Sequence, residues 1–178
     1  NYNVGLGIDV FESLTTGDNN VGVGFRALQD LTTGEQNVAL GNSTLMQLTT
    51  ASNNTAVGQS GLNANTTGTS NVAVGHQTMD ANTTGASNTA VGKDALGSNT
   101  TGDENVAVGA IALDAQTTAS YNTAVGYNAG SANTTGSQNT FIGRYAGAAN
   151  TTGADCVVVG SGAFSTNTTG TSNTAVGK

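Results

Sequence analysis

An all-β solenoid, a β-roll of stacked rungs, is the fold class this sequence predicts, on two observations. A glycine recurs every 17 residues without a slip, at Gly7, Gly24, Gly41, Gly58, Gly75, Gly92, Gly109, Gly126, Gly143, Gly160 and Gly177. The aliphatic residues fall at fixed phases of that period. Composition alone, with no proline and only 8% of residues charged, reads as a disordered low-complexity segment, and the fixed phases argue against that. Self-similarity at fixed period marks stacked repeats in which each coil touches only its neighbours. Seventeen residues are too few for a helix-pair repeat or a propeller blade, and enough for a rung of two short strands and two turns. Ten complete rungs run from Asn3 to Ser172, so residues 1–178 read as a single repeat domain. At about 4.8 Å per rung the rod is about 50 Å long.

Each element follows from one phase of the repeat, counting Asn3 as position 1. Position 1 is Asn in every rung except at Cys156, position 2 is chiefly Val or Thr, and position 4 is always Val, Leu or Ile. Position 5 is the invariant glycine. A short β-branched run ending in Gly reads as a strand entering a tight turn. Because side chains alternate along a strand, the always-aliphatic position 4 (Val74) is expected to point inward, with position 2 beside it. Position 3, usually Ala, is then expected to face solvent or another chain. Positions 6 and 7 vary freely, as an exposed turn does. Positions 8 and 9, commonly Ala-Leu as in Ala95-Leu96, supply a second apolar anchor on the opposite wall. Position 12 is Leu in the first three rungs and then Asn, except at Gln116. Thr-Thr at positions 13 and 14 is invariant, and position 15 is Gly except at Ala51 and Ala119.

Identical residues of consecutive rungs lie about 4.8 Å apart, which lets side-chain amides bond up and down a ladder. Asn71, Val74, Gly75, Asn82, Thr83, Thr84 and Gly85 stand for these structural columns in one rung. Asn-Thr-Thr also matches an N-glycosylation acceptor, but the same pattern arises wherever a solenoid turn repeats, and the stacked turn is favoured. The lateral core is thin for the number of residues ordered, so self-association is expected to supply extra burial. The small residue at position 3 suggests that column as the contact, with Phe141 and Val158 its large exceptions. Phe141 coincides with Gly147 at position 9, and Gly5 with Phe11, a hint of traded volume that Gly130 does not fit.

The segment Asn71-Val-Ala-Val-Gly75 and its counterparts resemble two repeat types. One is the head repeat of trimeric autotransporter adhesins. The other is the Asn-Thr-Ala-Val-Gly-x-x-Ala-Leu repeat of bacteriophage tail fibres and related surface proteins, which Asn88-Thr-Ala-Val-Gly-Lys-Asp-Ala-Leu96 matches along its whole length. The resemblance covers every rung. It implies a left-handed roll, three parallel chains around one axis, and a stalk or adhesive role at the cell exterior or virion surface. The 17-residue rung is longer than the usual rung of the adhesin heads.

Other chemistry is thinly represented. The formal charge of −7 disfavours nucleic acid and anionic membrane as partners. No apolar run approaches the roughly 20 residues of a membrane-spanning helix, and no charged-then-apolar leader is visible. His76 is the single histidine, Cys156 the single cysteine, and the Asp residues (Asp9, Asp30, Asp80, Asp103, Asp114) occupy no fixed phase of a calcium-binding roll. Neither an enzyme nor a cofactor is expected. No capping element is visible, so the chain reads as a segment of a longer fibre. The expected function is the structural shaft of an extracellular fibre, such as a phage tail fibre, that positions a receptor-binding tip. A bacterial surface adhesin or filament subunit is the alternative, and an ice-binding solenoid a more distant one, because Thr-Thr offers only one outward column. Contact with a cell-surface receptor or glycan is expected at the turn residues Phe25, Arg26, His76, Lys93, Tyr127, Arg144 and Tyr145.

Overall fold

The computed structural model describes residues 2–178. Every rung contributes one three-residue strand: β1 Val4–Leu6, β2 Val21–Val23, β3 Val38–Leu40, β4 Thr55–Val57, β5 Val72–Val74, β6 Thr89–Val91, β7 Val106–Val108, β8 Thr123–Val125, β9 Thr140–Ile142, β10 Val157–Val159 and β11 Thr174–Val176. They form one 11-stranded parallel sheet whose spatial order is the chain order. The register is one period throughout, as where Val72, Ala73 and Val74 face Thr89, Ala90 and Val91. The described residues contain no helix. The chain is a parallel β-solenoid of 17-residue rungs.

The second strand expected in each rung is absent, and the packing explains why. Ala95 and Leu96, at positions 8 and 9, are both fully buried. Adjacent residues of a strand point to opposite faces, so an extended segment cannot bury both. Leu96 instead adopts a left-handed backbone with φ 52°, as Leu28, Leu45, Leu62, Met79 and Leu113 do in their rungs. Positions 7 and 17 are left-handed too; in the same rung Asp94 and Glu104 have φ 55° and 56°. A left-handed non-glycine residue costs roughly 1–2 kcal/mol. Bonds between rungs hold these turns, among them Leu96 N–H to Ala112 O at 3.0 Å and Thr100 N–H to Thr117 O at 2.8 Å.

The strand's two faces are the reverse of the expectation. Position 3 lies inside: Ala39, Ala56, Ala73, Ala90, Ala107 and Ala124 are fully buried. Position 4 points outward, with Val74, Val91 and Val108 each 36–37% exposed. The left-handed Leu of position 9 projects across the rung and occupies the interior, which leaves space for little more than a methyl on the strand. Position 3 is therefore not a contact column between chains.

Volume is traded between those two columns within one chain. Phe141 is fully buried. A Cβ on Gly147 would lie 2.2 Å from its Cδ1, and one on Gly130 would lie 2.5 Å from its Cδ2. The ring straddles two rungs, so both position-9 glycines make way for it, and Gly130 is explained. Phe11 does the converse. It faces Gly5 and Gly22, where added Cβ atoms would come within 3.1 and 3.3 Å of its ring.

Two buried asparagine columns run along the rod. Asn71 donates from Nδ2 to Gly85 O at 2.8 Å, and its Oδ1 accepts from Asn88 N–H at 3.0 Å. Asn88 repeats the pattern with Gly102 O at 2.8 Å and Asn105 N–H at 2.9 Å. In the second column Asn82 Nδ2 donates to Asn65 Oδ1 at 3.1 Å and to Gly85 O at 3.0 Å. The amide nitrogen that a glycan would need is therefore buried and engaged. Thr83 donates from Oγ1 to Thr100 O at 3.0 Å. Thr84 is exposed and meets the same carbonyl through its backbone N–H at 3.2 Å.

Positions 12 and 15 are coupled. A Cβ on Gly85 would stand 2.4 Å from Asn82 Oδ1, and the other Asn rungs crowd position 15 in the same way. Alanine occurs there only at Ala51 and Ala119, in rungs whose position 12 is Leu48 or Gln116. Gln116 turns its Nε2 to Ala119 O at 3.0 Å and interrupts the ladder, leaving Asn99 Oδ1 buried without a partner.

Candidate functional site

The outward face of the sheet is a uniform surface that runs from β1 to β11. Positions 2 and 4 of eleven rungs form two parallel columns, one of Val and Thr, the other wholly aliphatic. No charged residue stands at positions 1 to 5 of any rung. The stripe is about 48 Å long and its columns about 7 Å apart. With side-chain width included it covers on the order of 500 Å², at the upper end of what a monomer leaves exposed. Sequence reasoning missed it by assigning the wrong face to position 3. The signal that could have found it is the left-handed Leu, whose inward reach leaves no interior space for a second large side chain.

The turn at positions 6 and 7 forms a ridge beside the strand, and it carries all seven expected contact residues. They do not converge on one site. Near one end the Arg26 guanidinium lies 4.7 Å from the Phe25 ring centroid and 3.5 Å from Asp9 Oδ2. In the middle His76 is exposed, and Lys93 is paired with the neighbouring Asp94. Further along, Tyr127, Arg144 and Tyr145 come together across two consecutive rungs. The tyrosine rings meet edge to face, 5.5 Å between centroids and 89° between planes, and the Arg144 Cζ lies 4.9 Å from the Tyr145 centroid.

An open notch of about 410 Å³ is lined by Gln77, Asp80, Ala81, Asp94, Gly97, Ser98 and Asp114. Asp80, Gly97 and Asp114 share position 10 in three successive rungs, and Gly97 opens the gap between the two carboxylates. A Cβ there would lie 2.8 Å from Asp114 Oδ1. Partial burial, reinforced by the negative charge of Asp94, pushes both carboxyls above the ordinary value of 3.8. Among the described residues no group of three or more His, Cys, Asp or Glu is arranged to hold a metal ion. Cys156 is buried, and its single S–H faces two acceptors, Ala154 O and Gly170 O, each 3.3 Å from Sγ.

These raised carboxyls have a signed consequence. Below the unfolded value both states are protonated, and above the folded value both are ionised, so the folded state carries the penalty at neutral pH. Acidification from neutral through the folded values removes it. Asp80→Asn with Asp114→Asn is expected to raise the melting temperature at pH 7 and to lose that advantage near pH 3, as thermal melts at both pH values will show.

No family model matches the chain, and neither a curated protein nor a solved structure matches it.

Proposed function

We propose that this chain is the structural shaft of an extracellular fibre, of the phage tail-fibre kind or a similar surface protein. In this reading parallel chains associate along their length, most simply three around a common axis, and hold a receptor-binding tip at a fixed reach. The observation that carries the reading is the charge-free stripe, an aliphatic column beside a column of Val and Thr, on an unbroken, in-register rod. Its two columns are one residue wide each and run the full length of the sheet. Such a shape suits a partner of equal length and equal pitch, which another copy of the chain supplies. The aliphatic column at position 4 faces the axis, and the Val and Thr column at position 2 meets the neighbouring chain. Cell exterior or virion surface is the location that goes with this role.

Deletion of two whole periods, residues 71–104, in the protein as it occurs tests the shaft. The rungs on either side of the deletion have the same phase, so the ladders rejoin. The fibre is expected to shorten by about 10 Å in electron micrographs, with attachment to the host or surface retained. Loss of attachment by a correctly shortened fibre would overturn the passive shaft and make the rod the receptor-binding element.

A further inference from the structure

The ridge patch of Tyr127, Arg144 and Tyr145 has the chemistry of a ligand contact that the shaft does not require. Tyr127 is 44% exposed and Arg144 is exposed beside it. The backbone fixes their spacing, because Tyr145 N–H donates to Tyr127 O at 2.9 Å and Gly162 N–H to Arg144 O at 2.8 Å. Tyr145 is held in a left-handed backbone with φ 59°, which sets the direction of its ring. A platform ordered in advance loses little entropy when something settles on it.

Charge narrows what that ligand is. Arg26 is paired with Asp9 and Lys93 with Asp94, whereas Arg144 makes no ion pair among the described residues of a chain at −7. Its guanidinium lies over an aromatic ring and leaves its donor fork for a planar anion, a match for a carboxylate. Two partly exposed phenol rings add apolar faces for stacking and hydroxyls for hydrogen bonds. Two rings and one guanidinium on an exposed turn fall far short of the roughly 800 Å² per partner of a stable protein interface. A sugar ring, with an apolar C–H face and hydroxyl edges, fits that size.

We infer that Tyr127, Arg144 and Tyr145 bind a carboxylate-bearing saccharide, the rings stacking on a sugar face and Arg144 taking the carboxylate. The inference goes beyond the shaft reading and does not depend on it. The test is titration calorimetry of the whole chain with oligogalacturonate, oligoglucuronate and sialyllactose, each beside its methyl ester, in which the ring is kept and the charge removed. At least one acidic sugar is expected to bind and its ester to bind more weakly. Arg144→Gln is expected to weaken the acidic sugar about tenfold and leave the ester unchanged, and Tyr127→Ala to weaken both about tenfold. Tyr127→Phe, which keeps the ring, is expected to bind nearly as the parent does, separating lost stacking from a disturbed fold. Failure of every acidic sugar to bind, or binding indifferent to Arg144→Gln and Tyr127→Ala, would overturn the inference. So would capture of a protein partner through the patch with no sugar binding. The residues 71–104 deletion leaves the patch intact, so a failed shaft and a failed sugar site give different results.

Discussion

Replacing Gly92 with alanine is expected to destabilise the rod by about 3–5 kcal/mol, through backbone strain plus a clash that no side chain can relieve. Gly92 has φ 136°, outside the reach of other residues. An added Cβ would lie 2.6 Å from both the carbonyl carbon and oxygen of Gly109 in the next rung. Those atoms belong to the stacked backbone, so relief requires the rungs to part. Gly61 is the control. It stands at position 8, where most rungs carry Ala, and its Cβ would meet nothing closer than 3.6 Å. Gly61→Ala is expected to leave the thermal melt unchanged or slightly raised. Equal melts for the two variants would show that the position-5 glycine is not where consecutive rungs touch.

Phe141→Ala is expected to cost about 3–5 kcal/mol, the usual range for emptying a buried aromatic site. The loss should be larger than for an average rung because Gly130 and Gly147 both lack a side chain to refill the space. Adding Gly130→Leu and Gly147→Leu to that variant rebuilds the Ala-and-Leu arrangement of Ala90 and Leu96, and most of the stability is expected to return. Gly130→Leu with Gly147→Leu, Phe141 kept in place, is expected to be strongly destabilising, since the added Cβ atoms would overlap the ring at 2.5 and 2.2 Å. Melting curves of the three variants form a coupling cycle. Additive effects would mean that the two columns do not share one interior.

These two experiments divide along what the sequence could reveal. The period, the invariant Gly92 column and the asparagine ladders are legible because each is a residue type repeated at one phase, and stacking turns repetition in sequence into adjacency in space. The direction of a side chain is not legible in that way. Ala73 and Val74 lie on the reverse of the expected faces because an always-aliphatic column such as that of Val74 reads as a core column, and alternation then sends Ala73 outward. Leu96 shows the missing fact: a leucine in a left-handed turn, a conformation that its residue type does not advertise. Once it reaches inward, small side chains belong inside the strand and the valines outside.

The surface follows the same division. The turn residues were recognisable as exposed because positions 6 and 7 vary, yet their grouping was not. Tyr127 and Tyr145 lie 18 residues apart, one period plus one, so their meeting depends on the turn's left-handed geometry as well as on the repeat. The acidic notch was within reach: Asp80, Gly97 and Asp114 share a phase, and reading that column alone places two carboxylates on either side of a gap.

Sedimentation equilibrium of the chain, compared with a Val74→Lys, Val108→Lys variant, bears most directly on the stripe as an assembly surface. Both substitutions lie on the outward face and touch neither the interior alanines nor the asparagine ladders, so the variant is expected to keep its fold by circular dichroism. The parent is expected to sediment at three times the mass of one chain, and the variant at the mass of one. A parent that stays monomeric and folded at every concentration, its charge-free stripe open to water, would contradict the account.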